Sequence, residues 1–139
     1  MSHIPLAFLC FDVDHDEKAR AAFIAELNGH DMVVVDHWSA PPQTPRDNWH
    51  DRVRTNISRC DLMIVIVGDA SAKSDGVRQE IGFAKRGNVP YFGVYADGSG
   101  PDTRLPEGLV ANRVAKWDWP SISAGVKQLM REGKNHPQS

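Results

Sequence analysis

Apolar residues fall along this chain in short solid blocks, and amphipathic stretches separate the blocks from end to end. Pro5 to Phe11 is apolar at nearly every position, as a strand is when both faces of its sheet are covered. Asp12 to Asp16 then forms an acidic turn able to start a helix. The spacing predicts that helix over 17–28, with Phe23, Ile24 and Leu27 inward and Asn28-Gly29 as its stop. A short second strand is predicted over 31–36, followed by a polar, proline-rich loop over 37–46. The next helix, over 47–59, carries Trp49, Val53, Ile57 and Cys60 at helical spacing. A third strand over 61–67 has six apolar residues after its aspartate. A helix beginning near Ser74 and ending at Gly87 leads to a fourth strand over 89–95 and a Gly/Pro/Asp loop through Gly108. A short edge strand over 113–117 and a last helix, opened by Pro120 and running to Glu132, complete the pattern.

Five β-α units joined by short right-handed crossovers predict an α/β fold, a flavodoxin-like doubly wound parallel sheet of order 2-1-3-4-5. Residues 1–132 read as a single domain and 133–139 as a disordered tail. In such sheets ligands bind beyond the carboxyl ends of the strands at the switch point, here between strands one and three. The loops that meet there are Phe11 to His15 and Gly68 to Ser74.

One residue on the helix after Ser74 stands out. Val77, Ile81 and Ala84 form an apolar stripe, while Arg78, Gln79, Lys85 and Arg86 spread over the far side. Glu80 lies roughly 60° from the centre of the stripe, on the shoulder of the buried face. A carboxylate there, one turn above a strand end, suits either a catalytic acid or a half-buried residue that caps the loop.

Composition narrows the function classes. With 139 residues and a formal charge of −2, the chain is one domain with no general attraction to nucleic acid or acidic lipid. Cys10 and Cys60 form no C-x-x-C pair and fit two buried, reduced thiols. The apolar run at the start of the chain ends at Asp12, too short for a membrane span, and the expected location is cytoplasmic. The six histidines are scattered without H-x-H or H-x-x-x-H spacing, so no metal site is expected. No G-x-G-x-x-G follows the first strand and no P-loop motif occurs, which argues against standard dinucleotide redox binding and P-loop chemistry.

The strand-end carboxylates Asp12, Asp14 and Asp69, with Lys116 in strand five, suggest a receiver-like phospho-acceptor domain as an alternative. Against it, Gly68 carries Asp69 past its strand end, and the receiver's Met-Pro and Lys-Pro pairs are missing.

FDVDHD at 11–16, RVRTNISRCDLMIVIVG at 52–68 and the S-x-x-V-R-x-E-I run from Ser74 to Ile81 resemble the bacterial TIR-like domains. The nearest subgroup is the TIR-like subunit of the Thoeris anti-phage system, and the resemblance covers about residues 6–95. Its sharpest element is the six-residue spacing from Ser74 to Glu80 after an apolar strand and loop. The resemblance implies an enzyme that cleaves NAD, as substrate and not cofactor, at the nicotinamide-ribose bond. It further implies an ADP-ribose-type product, cyclic in some members, that signals to an effector protein. Glu80 would be the catalytic carboxylate.

That chemistry needs few groups. Nicotinamide leaves neutral from a cationic nitrogen and requires no general acid, so the site must stabilise an oxocarbenium-like ribose, as in glycoside hydrolysis. One carboxylate in a shallow, partly desolvated position can do so. Phe11 is a candidate to stack on a ring of the dinucleotide or simply to pack in the core. Asp12, Ser71 and Ser74 offer hydrogen bonds, with Ser74 suited also to be the helix N-cap. His15 is carried as a further binding candidate, although surface or capping duty suits it better than proton transfer.

Family members often carry Trp two residues after the serine, where this chain has Gly76, and Trp38 or Trp49 are candidates to fill that space. The loop over 37–46 occupies the position of common TIR self-association contacts, and Trp38 would suit an interface. A non-catalytic self-association scaffold is therefore the second reading.

Overall fold

The computed structural model describes residues 4–40, 48–96 and 98–133. Its elements run β1 (Leu6–Cys10), α1 (Glu17–Leu27), β2 (Val34–Trp38), α2 (Trp49–Arg59), β3 (Leu62–Val67), α3 (Asp75–Arg86), β4 (Tyr91–Tyr95), β5 (Val114–Ala115) and α4 (Trp119–Glu132). The sheet has five strands in the order β2-β1-β3-β4-β5, and every pairing is parallel. This is the flavodoxin-like α/β architecture expected from the pattern.

Strand alternation shows why the apolar blocks are solid. Ala7 and Leu9 of β1, with Leu62, Ile64 and Ile66 of β3, face a core completed by Phe23 and Leu27 of α1 and Ile122, Val126 and Leu129 of α4. Phe8 and Cys10, with Met63, Val65 and Val67, face the opposite core, filled by Trp49, Val53 and Ile57 of α2 and Val77, Ile81 and Ala84 of α3. A strand buried on both faces has no polar side, so its sequence loses the alternation that marks a half-exposed strand. α4 lies so close to β4 that a Cβ at Gly125 would stand 2.5 Å from a ring carbon of Phe92.

β2 departs from its expected bounds. The apolar run at Met32 to Val35 suggested a strand over 31–36, but the ladder with β1 runs from Val34 to Trp38. His37 and Trp38 are thus strand residues, and the loop expected over 37–46 starts no earlier than Ser39. Residues 41–47 of that loop lie outside the described residues. The physical reason is the edge position. Val34, Asp36 and Trp38 are exposed while Val35 and His37 turn inward, so hydropathy does not mark the strand's limits. A register shift between Ala7 and Phe8 skips Asp36 in the pairing.

Two smaller differences concern loops. Ser71–Lys73 forms a turn of 3-10 helix before α3, where a plain polar loop was expected, and β5 is two residues long against the five expected. The tail expected over 133–139 lies outside the described residues except for Gly133. Among the described residues no helix is long and apolar enough to cross a membrane, and no group of three or more metal-ligating side chains is present.

Candidate functional site

A cleft of about 710 Å³ opens at the carboxyl ends of β1 and β3, at the switch point of the sheet. Its size falls in the range of small-molecule sites. Phe11 to His15 line one side, Asp69, Ala70 and Lys73 another, and Ser74, Asp75, Gly76 and Glu80 of the α3 start a third. Ser39, Ala40 and Trp49 close the remainder.

Of the two buried carboxylates at this cleft, Asp12 and Glu80, Glu80 is the more deeply buried. Its residue is 1% exposed, deeper than the shallow, partly desolvated position expected from its angle on the helix. The stripe of α3 packs into the core it shares with α2, β1 and β3, and the shoulder beside it meets Ser39 just past the end of β2. Ser39 donates its hydroxyl to Glu80 Oε1, and the Cys10 thiol, which donates to Val77 O at 4.0 Å, lies close enough to the carboxylate to favour its charged form. Burial pushes the Glu80 carboxyl from 4.5 up to about 7, against the opposing effect of the Ser39 and Cys10 hydrogen bonds. Glu80 in turn, after burial itself, pushes the Cys10 thiol well above its ordinary range, so Cys10 stays protonated as a donor.

The hydroxyl of Ser39 is oriented by a third partner. The Phe11 backbone N–H donates to Ser39 Oγ at 3.0 Å, and the Ser39 N–H continues the β1–β2 ladder to Leu9 O at 3.0 Å. With Phe11 supplying a proton to Oγ, the Ser39 O–H is left to point at Glu80.

The other candidates divide by geometry. Asp12 sits at the cleft, nearly buried, its Oδ1 accepting the Asp14 N–H at 3.0 Å and its Oδ2 the His15 Nδ1 at 2.9 Å. The Asp12 hydrogen bond and charge lift the exposed His15 imidazole above its ordinary 6.5. Ser74 caps α3, its Oγ accepting the Val77 N–H at 3.3 Å, and also lines the cleft. The two roles expected of it are compatible. Phe11 is 1% exposed and belongs to the core of α1 and α4, so it forms a wall and does not present an open ring face. Ser71 is fully buried, donates to Gly68 O at 2.9 Å and accepts from Gly68 N at 3.2 Å. It stands outside the cleft lining because the loop itself consumes its hydroxyl.

Gly76 lines the cleft with open space around it, a Cβ there meeting only Ser74 Oγ at 3.9 Å. Of the two tryptophans weighed for that gap, Trp49 stands at the cleft, its indole N–H donating to Ala40 O at 2.7 Å. Trp38 lies instead along a separate groove on the outer edge of the sheet, 44% exposed, with the Arg20 guanidinium 5.1 Å from its ring.

Ser39, Cys10 and Lys73 were not among the site residues read from sequence, while Asp69 was named there only for the receiver-like alternative and Trp49 only as a candidate to fill the space at Gly76. Ser39 had a signal: Val35, His37 and Ser39 alternate with exposed Val34, Asp36 and Trp38, so a correctly placed β2 puts Ser39 on the inner side at the strand end. Asp69 and Lys73 lie in the loop already assigned to the switch point.

The comparisons agree with this architecture. The TIR domain family model matches residues 8–130, and the chain belongs to that family. Among solved structures the chain is similar to one described as the crystal structure of a prokaryotic SEFIR domain. The identity is 14%, with a TM-score of 0.55 over 91% of this chain and 90% of that one. At that identity the likeness speaks for the fold. No curated protein matches the chain.

Proposed function

We propose that this TIR domain cleaves NAD at the nicotinamide-ribose bond, with Glu80 as the catalytic carboxylate. The observation that carries the proposal is the Glu80 carboxylate, 1% exposed at the switch-point cleft, whose ordinary pKa burial raises and which accepts from the neutral Ser39 hydroxyl with no cation paired to it among the described residues. A perturbed, buried acid in a concave site is the arrangement from which catalytic function is inferred.

In the reaction the bond between the nicotinamide nitrogen and ribose C1′ breaks, and its electron pair leaves with neutral nicotinamide. Ionised Glu80 stabilises the cationic ribose, a task made stronger by the low local dielectric. Water, or a nucleophile within the ADP-ribose itself, then bonds to C1′ and releases its proton. The product is free or cyclic ADP-ribose. Trp49 supplies an aromatic group to the cleft, which Gly76 does not, and Lys73 and His15 are the basic side chains at hand for the pyrophosphate. Asp12 and Ser74 stand ready for ribose hydroxyls. The bacterial setting implied by the Thoeris resemblance makes the product a cytoplasmic signal to an effector protein in anti-phage defence.

The second reading is a non-catalytic TIR module that acts by self-association, and the depth of Glu80 favours it: at 1% exposure the carboxylate offers almost no surface to a ribose. Nicotinamide release by concentrated wild-type protein, absent in Glu80→Gln, is the expected result, with product mass distinguishing cyclic from free ADP-ribose. Release that persists in Glu80→Gln overturns the catalytic role of Glu80, and release absent from both proteins overturns the enzymatic reading.

A further inference from the structure

The geometry points to Ser39 as the positioning residue of the site, a hydroxyl at the end of β2 that fixes the direction of the Glu80 carboxylate and ties it to the backbone of β1. The inference deepens the NAD-cleaving reading and, for its catalytic readout, rests on it.

Three observations meet at this hydroxyl. Ser39 is one of only four buried polar or charged residues among those described, so its hydrogen bonds have no water to replace them. Its Oγ accepts the Phe11 N–H, which leaves its own proton for Glu80 Oε1. Its backbone N–H is held by Leu9 O, so the hydroxyl belongs to the sheet and not to the loop beyond it. A donor whose direction is set by its own acceptor role, on a rigid strand end, is the kind of support that keeps a catalytic group in productive geometry.

The surroundings of Glu80 leave Ser39 little competition. β1 contributes the Cys10 thiol, a weaker donor whose own acceptor is Val77 O at 4.0 Å. Asp12, Asp14 and His15 from the β1–α1 loop, Asp69 and Lys73 from the β3–α3 loop and Asp75 of α3 line the cleft. None of them pairs with Glu80 among the described residues, and burial, Ser39 and Cys10 together set its proton affinity. Because the Ser39 bond favours the ionised carboxylate, its removal leaves Glu80 protonated to higher pH.

The test compares wild type, Ser39→Ala and Ser39→Thr by carboxyl-carbon NMR titration of Glu80 and by the pH profile of nicotinamide release. In Ser39→Ala the Glu80 titration moves upward. Release at about pH 6 falls about tenfold, at about pH 8.5 by less than about twofold, with KM little changed. Ser39→Thr, which keeps the hydroxyl, restores both readouts. A general loss of packing would lower release equally at both pH values and would not return with threonine. An unchanged Glu80 titration in Ser39→Ala, or a pH-independent loss, overturns the inference. If wild type releases no nicotinamide, the enzymatic reading fails while the NMR titration still decides the role of Ser39. If Ser39→Ala does not fold, Ser39→Cys, which keeps the size and weakens the donor, carries the same expectation and the same overturning result.

Discussion

Replacing Glu80 by glutamine removes one titrating group from the interior while keeping its shape. The folded protein holds the Glu80 proton until about pH 7, whereas an unfolded chain releases it near 4.5. The stability this contributes is therefore complete below 4.5 and is lost as pH rises through 7. At about 1.4 kcal/mol per pH unit, the interval from 4.5 to about 7 corresponds to about 3 kcal/mol. Wild type then carries a buried carboxylate at about that cost above neutrality, and the glutamine variant does not. The amide oxygen still accepts from Ser39, and exchange of the second carboxylate oxygen for a buried NH2 group adds a constant offset of about 1 kcal/mol at every pH. The pH dependence of the difference carries the test. Urea unfolding of both proteins between about pH 5 and about pH 8 should show the variant gaining about 2–3 kcal/mol relative to wild type across the range, or about 5–10 °C in Tm. The other titrating groups are common to the two proteins and cancel; the Cys10 thiol, which burial and then Glu80 push well above its ordinary range, stays protonated over these pH values. A difference that stays flat with pH, or one that moves against the variant as pH rises, refutes the assignment of Glu80 as a desolvated acid.

Further outcomes follow from the same contacts. Gly125→Ala should destabilise the domain by about 1–3 kcal/mol in a thermal or denaturant melt, because its Cβ would enter the Phe92 ring at 2.5 Å; a neutral result would show that α4 shifts freely over β4. Gly76→Ala should stabilise α3 by about 0.5 kcal/mol in the same assay, since the space beside Gly76 is open. The His15 imidazole, followed by proton NMR, should titrate above its ordinary 6.5 in wild type and fall back towards that value in Asp12→Asn, which removes the charge that raises it. An unmoved titration would separate His15 from Asp12 in solution.

Much of this protein was written in the order of its residues. Solid apolar blocks at β1 and β3 announced strands buried on both faces, and their alternation with amphipathic helices predicted the parallel sheet and its switch point. Glu80 and Ser74 were found from helical angle, spacing and a family resemblance, because both lie on one continuous element whose period the sequence states. Tertiary structure decided which side chains of the sheet meet them. Ser39 and Cys10 reach Glu80 from two other strands, at separations of 41 and 70 positions that no local pattern encodes. The edge strand β2, half exposed and weakly patterned, took its limits from pairing with β1, and that pairing brought Ser39 to the site. The same pairing moved Trp38 to the outer groove, and the burial of Phe11 and Ser71 was settled by the core and the loop around them. A helix repeats its geometry every few residues and can be read locally. The environment of a buried carboxylate is made by chain segments that meet only when the sheet closes over it.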